Sequence, residues 1–547
     1  MHNQQPYIKI HPDDDVCVAL QNLKAGSTIL MDGTTFILPQ NVQAKHKFTI
    51  NDLIKGQTLK MYGIVVGTAE LDLPKGTVIT VSNIAHKTSP VQERKLVTSW
   101  TKPSVSKWEN VTFKGYHRKD GSVGTANYWL VFPLVFCENK NIEIIKEAIS
   151  DALGYNKYHK YKAFAKTQLN QILNLSDGAD TTMFQNASGI HRPFKNVDGV
   201  KFITHQMGCG GTRQDARTLC GLLAGYLTNP NVAGATVLSL GCQNAQYEIL
   251  RDELHARNSH FDKPLYYFDQ QTLGTEDILI EESIKATLKG MSLANTQERK
   301  EAPLSKLVIG LECGGSDGFS GISANPTVGY VSDMVVTLGG TAVLAEFPEL
   351  CGVEQELCNR CVTPELADKF LDLMQRYEKS AIFVGSGFDM NPSPGNIKDG
   401  LITDAMKSAG AAKKGGTSPI TDVLDYPQKV TKTGLNLLNT PGNDVESTTA
   451  LAGSGCNIIL FTTGLGTPTG NPVVPVIKIS SNSALTQRMS DIIDFNAGTV
   501  IEGETGIAEA ADNLMAYIIS VANGDIQSKA TINEQNDFIP WKRGVSL

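Results

Sequence analysis

An apolar run, Leu307-Val308-Ile309-Gly310, opens directly into Leu311-Glu312-Cys313-Gly314-Gly315-Ser316-Asp317-Gly318-Phe319-Ser320-Gly321-Ile322-Ser323-Ala324-Asn325-Pro326. A short apolar run ahead of a glycine-rich stretch reads as a buried strand. The glycines of the loop let backbone N–H groups approach an anion closely. The same loop carries a thiol, two carboxylates, hydroxyls and an amide. That mixture suits a polyhydroxy acid and a metal; the plainer alternative is an ordinary glycine-rich turn. Loops at the ends of strands in α/β folds hold sites so often that the first reading is preferred.

Other strand candidates span 200–204, 235–240, 334–337, 342–345, 381–384, 458–461 and 474–479. Helical patterns lie between them, at 141–152, 214–227, 245–256, 365–377 and 507–521. This alternation predicts an α/β fold with a mostly parallel sheet covered by helices. Residues 1–90 differ. Short strands there alternate with the turns Asp32-Gly33, Lys55-Gly56 and Pro74-Lys75-Gly76, which predicts a small β module. Residues 91–110 are polar and aperiodic, and are expected to be a linker. The stretch near 153–196, rich in Asn, Lys and Gln, is expected to be an insertion or helical extension. A chain of 547 residues accommodates about three domains, here 1–90, 111–300 and 301–547.

The net charge of −7 argues against nucleic acid or an anionic membrane as partner. No run of apolar residues is long enough to span a bilayer. The start, Met1-His2-Asn3-Gln4-Gln5-Pro6, has no basic and no apolar region of a secretory signal. The ten cysteines are therefore expected to be reduced thiols, and a cytoplasmic enzyme is the expectation.

Three strand candidates end in reactive loops: His205-Gln206-Met207-Gly208-Cys209-Gly210-Gly211, Gly241-Cys242-Gln243-Asn244, and Glu312-Cys313-Gly314-Gly315. Carboxyl ends of parallel strands gather on one edge of a sheet, so these loops can converge. Cys209, Cys242 and Cys313 would then suit iron or zinc. Their spacing is not that of a zinc ribbon or ferredoxin, and spacing alone favours three buried thiols acting as small apolar groups. Asn391 to Asn396, and Asn439 to Asp444, each precede a helical pattern. Each offers a helix N-terminus for a carboxylate, or else a simple N-cap. Thr463-Gly464-Leu465-Gly466-Thr467 is not a dinucleotide fingerprint, and neither a phosphate-binding G-x-x-x-x-G-K nor a G-x-S-x-G motif occurs. His46 in the β module matters only if that module folds over the site.

Taken together these motifs resemble the altronate/galactarate dehydratase family of sugar-acid hydro-lyases. The likeness is carried by Gly310 to Pro326, His205 with Gly208-Cys209, Gly241 to Asn244, Ala345-Glu346-Phe347-Pro348-Glu349, Asn391 to Asn396, Gly434 to Leu437 and Pro441-Gly442-Asn443-Asp444. It implies a β-clip, or SAF, domain at residues 1–90. A dimerising middle domain and a Rossmann-like C-terminal domain would follow. It also implies a homodimer, a sugar-acid substrate, and dependence on Fe(2+), with Mn(2+) or another divalent cation as alternatives and an iron–sulfur cluster left open. D-altronate going to 2-dehydro-3-deoxy-D-gluconate is the foremost reaction. A galactarate dehydratase, a sulfolactate sulfo-lyase and a non-catalytic sugar-acid sensor are the alternatives.

Under this resemblance His205, Glu312 and Asp317 are the expected acid–base residues, and Cys209, Cys242 and Cys313 the metal ligands. Gly314, Gly315, Ser316, Asn325, Asn396, Asn443, Asp444, Asn127 and His46 are expected to line the substrate. Two family arginines are replaced here, at Ala126 and Leu465. Each loss removes a carboxylate clamp, which Arg213 and Arg217 are expected to replace.

Overall fold

The computed structural model describes residues 5–95, 99–153, 159–173 and 193–546. Its largest sheet has seven strands, in the order Ile420–Leu424, Gly434–Leu438, Thr341–Leu344, Val308–Cys313, Ile458–Thr463, Val476–Ser480 and Phe495–Asn496. Every neighbouring pair is parallel. Side chains alternate between two cores, as a strand's period of two requires. Ile309, Leu311, Leu344 and Leu460 enter one core, and Val343, Ile459 and Phe461 the other. From Val308–Cys313 the chain first builds outward on one side, then returns to place Ile458–Thr463 on the other. The carboxyl ends of these two strands form the switch-point crevice of an open α/β sheet.

A second parallel sheet orders Gly199–Phe202, Tyr128–Pro133, Val232–Ser239 and Leu265–Asp269. Trp129 and Val131 face a core shared with the helices Asn139–Ala152 and Glu276–Ala294. Leu130 and Phe132 share a core with the C-terminal domain. The contact runs through the helices Arg213–Thr228 and Asp444–Ser454, whose backbones nearly touch. A Cβ on Gly225 would lie 2.0 Å from the Gly453 carbonyl oxygen. Gly225→Ala is therefore expected to destabilise the protein by about 1–3 kcal/mol, the usual range for overpacking, read from urea unfolding.

The N-terminal module is made of short antiparallel ladders. It packs on the C-terminal domain through one apolar cluster, with Val16, Leu59, Met61, Val66 and Ile84 against Phe319, Ile322, Ile402, Ala405 and Met406.

Several expectations need correction. The runs 334–337 and 381–384 are not strands. They are the last turns of the helices Ala324–Thr337 and Pro364–Phe383. A four-residue apolar run has no resolvable period, so it reads alike in both states. The expected linker is a packed strap. Val105 and Trp108 are buried in the main core, the Trp108 indole donates to Asp512 at 2.8 Å, and the Trp100 indole donates to Thr417 at 3.1 Å. Polar composition concealed these anchors. Within the stretch near 153–196 the helix His159–Ile172 is present, while residues 154–158 and 174–192 lie outside the described residues. Among the described residues no helix is long and apolar enough to cross a membrane.

Candidate active site

Glu312 and Cys313 end the central strand and emerge at the switch-point crevice. The neighbouring strand Thr341–Leu344 delivers Glu346 and Glu349 to the same edge. Glu346 has a left-handed backbone (φ 66°), unusual for a residue other than glycine, and its N–H donates to Thr440 Oγ1 at 2.8 Å. Asp444 opens the helix Asp444–Ser454, and Gly314 leaves it room: a Cβ there would sit 2.0 Å from Asp444 Oδ2. Lys407 comes from the helix Asp404–Ala411 and Lys414 from the turn that follows.

These side chains form one buried constellation. Cys313 Sγ donates to Glu349 Oε2 at 3.1 Å and lies 3.7 Å from Glu346 Oε2. Lys414 Nζ touches Cys313 Sγ and is 3.6 Å from Glu346 Oε2. Lys407 Nζ pairs with Glu349 Oε1 at 2.6 Å and donates to Asn391 at 3.0 Å. Ser447 donates to Glu312 Oε2 at 2.5 Å, while Glu312 Oε1 is buried without a hydrogen-bond partner.

Burial and mutual repulsion separate the protonation states. Burial, reinforced by Glu346, pushes the Glu312 carboxyl well above its ordinary range. Burial and Glu349 push Glu346 up to about 8 and Asp444 up to about 6. Burial acts on Glu349 too, but Lys407 and Lys414 outweigh it and hold that carboxyl below its usual value. Burial alone would weaken the Lys414 ammonium; the surrounding acidic groups win and keep it charged.

Two sets of ligand atoms here lie within 4.8 Å of one another: Cys313–Glu346–Glu349 and Glu312–Glu346–Asp444. Four carboxylates against two lysines, with one carboxylate oxygen unpartnered, fit a divalent cation. Beside the constellation lies a cavity of about 750 Å³. Pro348, Asn391 and Gly442 form its inner wall, and Tyr377, Trp541 and Arg543 belong to its aromatic and cationic side.

The other expected site residues are placed differently. His205 is buried in the middle domain; its Nε2 bonds to the Pro133 carbonyl at 3.0 Å and its Nδ1 accepts from the Met207 N–H at 3.2 Å. Burial lowers it to about 4, so it is a neutral structural imidazole, not an acid–base group. Cys209 and Cys242 are exposed at the carboxyl edge of the four-stranded sheet. Among the described residues no metal-spaced group holds more than one of the three thiols, so the three-thiol centre does not form. The first two loops do meet, Asn244 donating its N–H to the Cys209 carbonyl at 3.2 Å, but the Cys313 loop ends a different sheet and stays apart from them.

Asp317 is fully buried and takes hydrogen bonds from Ser320, Ser481 and Asn482 as well as an ion pair of 3.0 Å from Lys45. It anchors the N-terminal module and has no proton-transfer geometry. Asn325 is closed at both ends, by Gly410 and Thr462. Asn127 donates to the carbonyls of Asn196 and Ala294, deep in the middle domain. Asn396 completes a capping box and donates to the Ser316 carbonyl. Asn443 caps its helix through Val445 N and Glu446 N. The buried amides of Asn127, Asn325 and Asn396 are satisfied by protein, which leaves nothing for a ligand, whereas Asn443 is exposed and uses only its Oδ1 as the cap.

Gly314 donates its N–H to Thr462, and Gly315 adopts φ 59° against Thr463 and Thr467. Ser316 is buried between these contacts. Gly314 leaves room for Asp444, Gly315 packs against the 463–467 loop, and the Ser316 carbonyl is taken by Asn396. His46 does sit where the module folds over the C-terminal domain, since the Gly400 Cβ position lies 3.3 Å from His46 N. Its neighbours carry the contact: Lys45 pairs with Asp317 and Asp399, and Lys47 donates to the Gly400 carbonyl at 2.6 Å. Arg213 and Arg217 are exposed on the middle-domain helix.

Three family models match the chain: the altronate/galactarate dehydratase SAF domain over residues 5–87, the D-galactarate dehydratase/altronate hydrolase second domain over 115–295, and the D-galactarate/altronate dehydratase C-terminal domain over 304–546. The altronate dehydratase of Escherichia coli (strain K12) is 33% identical over 99% of this chain and 100% of its own length. The chain belongs to the altronate/galactarate dehydratase family. It is a hydro-lyase with an N-terminal SAF domain. The altronate dehydratase of Bacillus subtilis (strain 168) is 32% identical to this dehydratase over 99% of each chain. The galactarate dehydratase (L-threo-forming) of Escherichia coli (strain K12) is 31% identical, covering 97% of this chain and 94% of its own.

Glu346, Glu349, Lys407 and Lys414 of this dehydratase were not singled out as site residues by sequence reasoning. The pair Glu346-x-x-Glu349 directly after an apolar strand was a usable signal, because it reaches the same sheet edge as Glu312. The two lysines had none: in sequence they look like ordinary solvated charges.

Proposed function

We propose that this dehydratase removes water across C2 and C3 of a six-carbon aldonate, D-altronate foremost, giving 2-dehydro-3-deoxy-D-gluconate. One observation carries the reading: a carboxyl held protonated (Glu312) and a carboxyl poised for ionisation (Asp444) meet at the switch-point crevice, beside a cavity of about 750 Å³. Pairs of acids pushed apart in this way mark acid and base roles. Asp444, half-exposed at the crevice, takes the C2 proton. Glu312 protonates the departing C3 hydroxyl, which leaves as water. The enol left behind tautomerises to the 2-keto acid. Lys407 and Lys414 offset the negative charge that builds on the substrate carboxylate as C2 loses its proton.

Cys313, Glu346 and Glu349 would hold a divalent cation, Fe(II) foremost or Mn(II); when bound, that ion stabilises charge on the carboxylate and 2-hydroxyl. Cys313→Ser is expected to lower bound iron and activity together. Full iron content with full activity in that variant removes Cys313 from the ligand set.

Two matches to altronate dehydratases support the monoacid. Three cations, Arg376, Lys542 and Arg543, line the cavity, with Arg543 paired to Asp425 at 2.8 Å, so the choice between monoacid and diacid rests on turnover. The test is anaerobic turnover with Fe(II) and reductant, offering D-altronate and galactarate separately and measuring 2-keto acid. Product from altronate alone is expected. Product from galactarate alone moves the chain to the diacid branch.

A further inference from the structure

His86, Cys351 and Asp404 come from three separate parts of the chain and meet where the SAF domain rests on the C-terminal domain. His86 follows the strand Ile84–Ala85 of the SAF domain. Cys351 ends the turn Phe347–Leu350, and Asp404 opens the helix Asp404–Ala411. Their ligand atoms all lie within 4.8 Å of one another. The group shares no residue with the constellation of Glu312, Cys313, Glu346, Glu349 and Asp444.

The polar atoms of this group are poorly used by the protein. Asp404 is fully buried, yet its Oδ2 has no partner at hydrogen-bond geometry; its carboxyl meets only a long contact from Ser408 at 3.4 Å and the neighbouring Cys351 thiol. An unpartnered buried carboxylate oxygen costs about 1–3 kcal/mol or more, so it calls for a partner. His86 Nδ1 accepts from the Ala405 N–H at 3.4 Å, a long hydrogen bond that a cation at this nitrogen would displace. Cys351 is a free, buried thiol.

We propose that His86, Cys351 and Asp404 form a second metal site, for a zinc-class dication, that clamps the SAF domain to the C-terminal domain. Imidazole, thiolate and carboxylate are the ligand types such an ion takes, and three protein ligands leave a fourth position for water. The clamp bears on the active site. The turn that ends at Cys351 carries Glu349, and the helix that opens at Asp404 carries Lys407, so one ion would fix both partners of the Lys407–Glu349 pair.

The test uses the full chain, stripped with chelator under reductant and titrated with Zn(2+) alone, then with Co(2+) alone. Elemental analysis after gel filtration is expected to find one equivalent fewer in Cys351→Ser and in His86→Ala than in the unaltered chain. Cys313→Ser is expected to keep that equivalent. In the Cys313→Ser background, Co(2+) should give a thiolate-to-metal absorption band that Cys351→Ser abolishes. Zn(2+) should raise the thermal midpoint of the unaltered chain and not that of His86→Ala. His86 is only half-buried, so its variant folds even if Cys351→Ser does not. Equal stoichiometry in the unaltered chain and both variants, or a cobalt band that survives loss of Cys351, overturns the proposal. Neither result depends on which sugar acid the enzyme uses.

Discussion

Asp444→Asn is expected to lower kcat by about 10²–10⁴-fold, the usual contribution of a positioned general base, with a smaller change in KM. The variant should fold normally. Asn443, not Asp444, caps the helix, accepting from Val445 N and Glu446 N. Asparagine also fits the space that Gly314 leaves, having the same shape as aspartate. The pH profile adds an independent readout. Burial and Glu349 put Asp444 at about 6, so kcat/KM of the unaltered enzyme should rise through that region as the base loses its proton. It should fall again at higher pH, where Glu312, held well above its ordinary range, is at last ionised. Asp444→Asn should lack the rising limb. Turnover near the unaltered rate, with that limb intact, would falsify the assignment.

Lys407→Met is expected to cost about 3–5 kcal/mol of stability, the penalty for leaving a buried charge without its partner. Lys407 and Glu349 pair at 2.6 Å with side-chain exposures of 10% and 6%. Methionine keeps the packed stem and removes the ammonium. Glu349 then stays buried beside Cys313 with only Lys414 to balance it. The double variant Lys407→Met with Glu349→Gln should recover most of the loss, since the orphaned charge is gone. Urea unfolding of the unaltered chain, Lys407→Met, Glu349→Gln and the double variant measures both effects. The sign with pH follows from Glu349: its carboxyl is held below the ordinary value, so the pair's stabilisation is present at neutral pH and is lost as pH falls through that lowered value. A single-variant cost under about 1 kcal/mol would instead place the pair among exposed salt bridges.

The two predictions rest on residues that were unequally legible. Glu312 and Cys313 stood out because strand, glycine and reactive side chain are adjacent in sequence, and adjacency is what pattern reading detects. Asp444 was visible as part of a helix-start motif, though its acid–base use was not. Lys407 carries no local sign at all. It sits in a short helix, and its importance comes from Glu349, which reaches it from another element. The opposite error explains His205, the natural choice for a base by intrinsic pKa. Burial between Pro133 and Met207 turned it into a backbone bracket. Desolvation is a property of the packed state and leaves no trace in residue type.

Strand–helix alternation, glycine punctuation and the order of the motifs were enough to establish an α/β enzyme with a small β domain in front and a reactive loop at residue 312. These are short-range features, governed by backbone preference and by the period of apolar residues. Which reactive loops meet was decided by strand order in two separate sheets. The sheet that carries Cys313 brings in Glu349, 36 residues onward, and Lys414, 101 residues onward, while Cys209 and Cys242 end a different sheet. Pairing of distant strands is selected by burial of the whole sheet, not by the residues that finally sit at its edge, so the charge balance of the site exists only once the chain has folded.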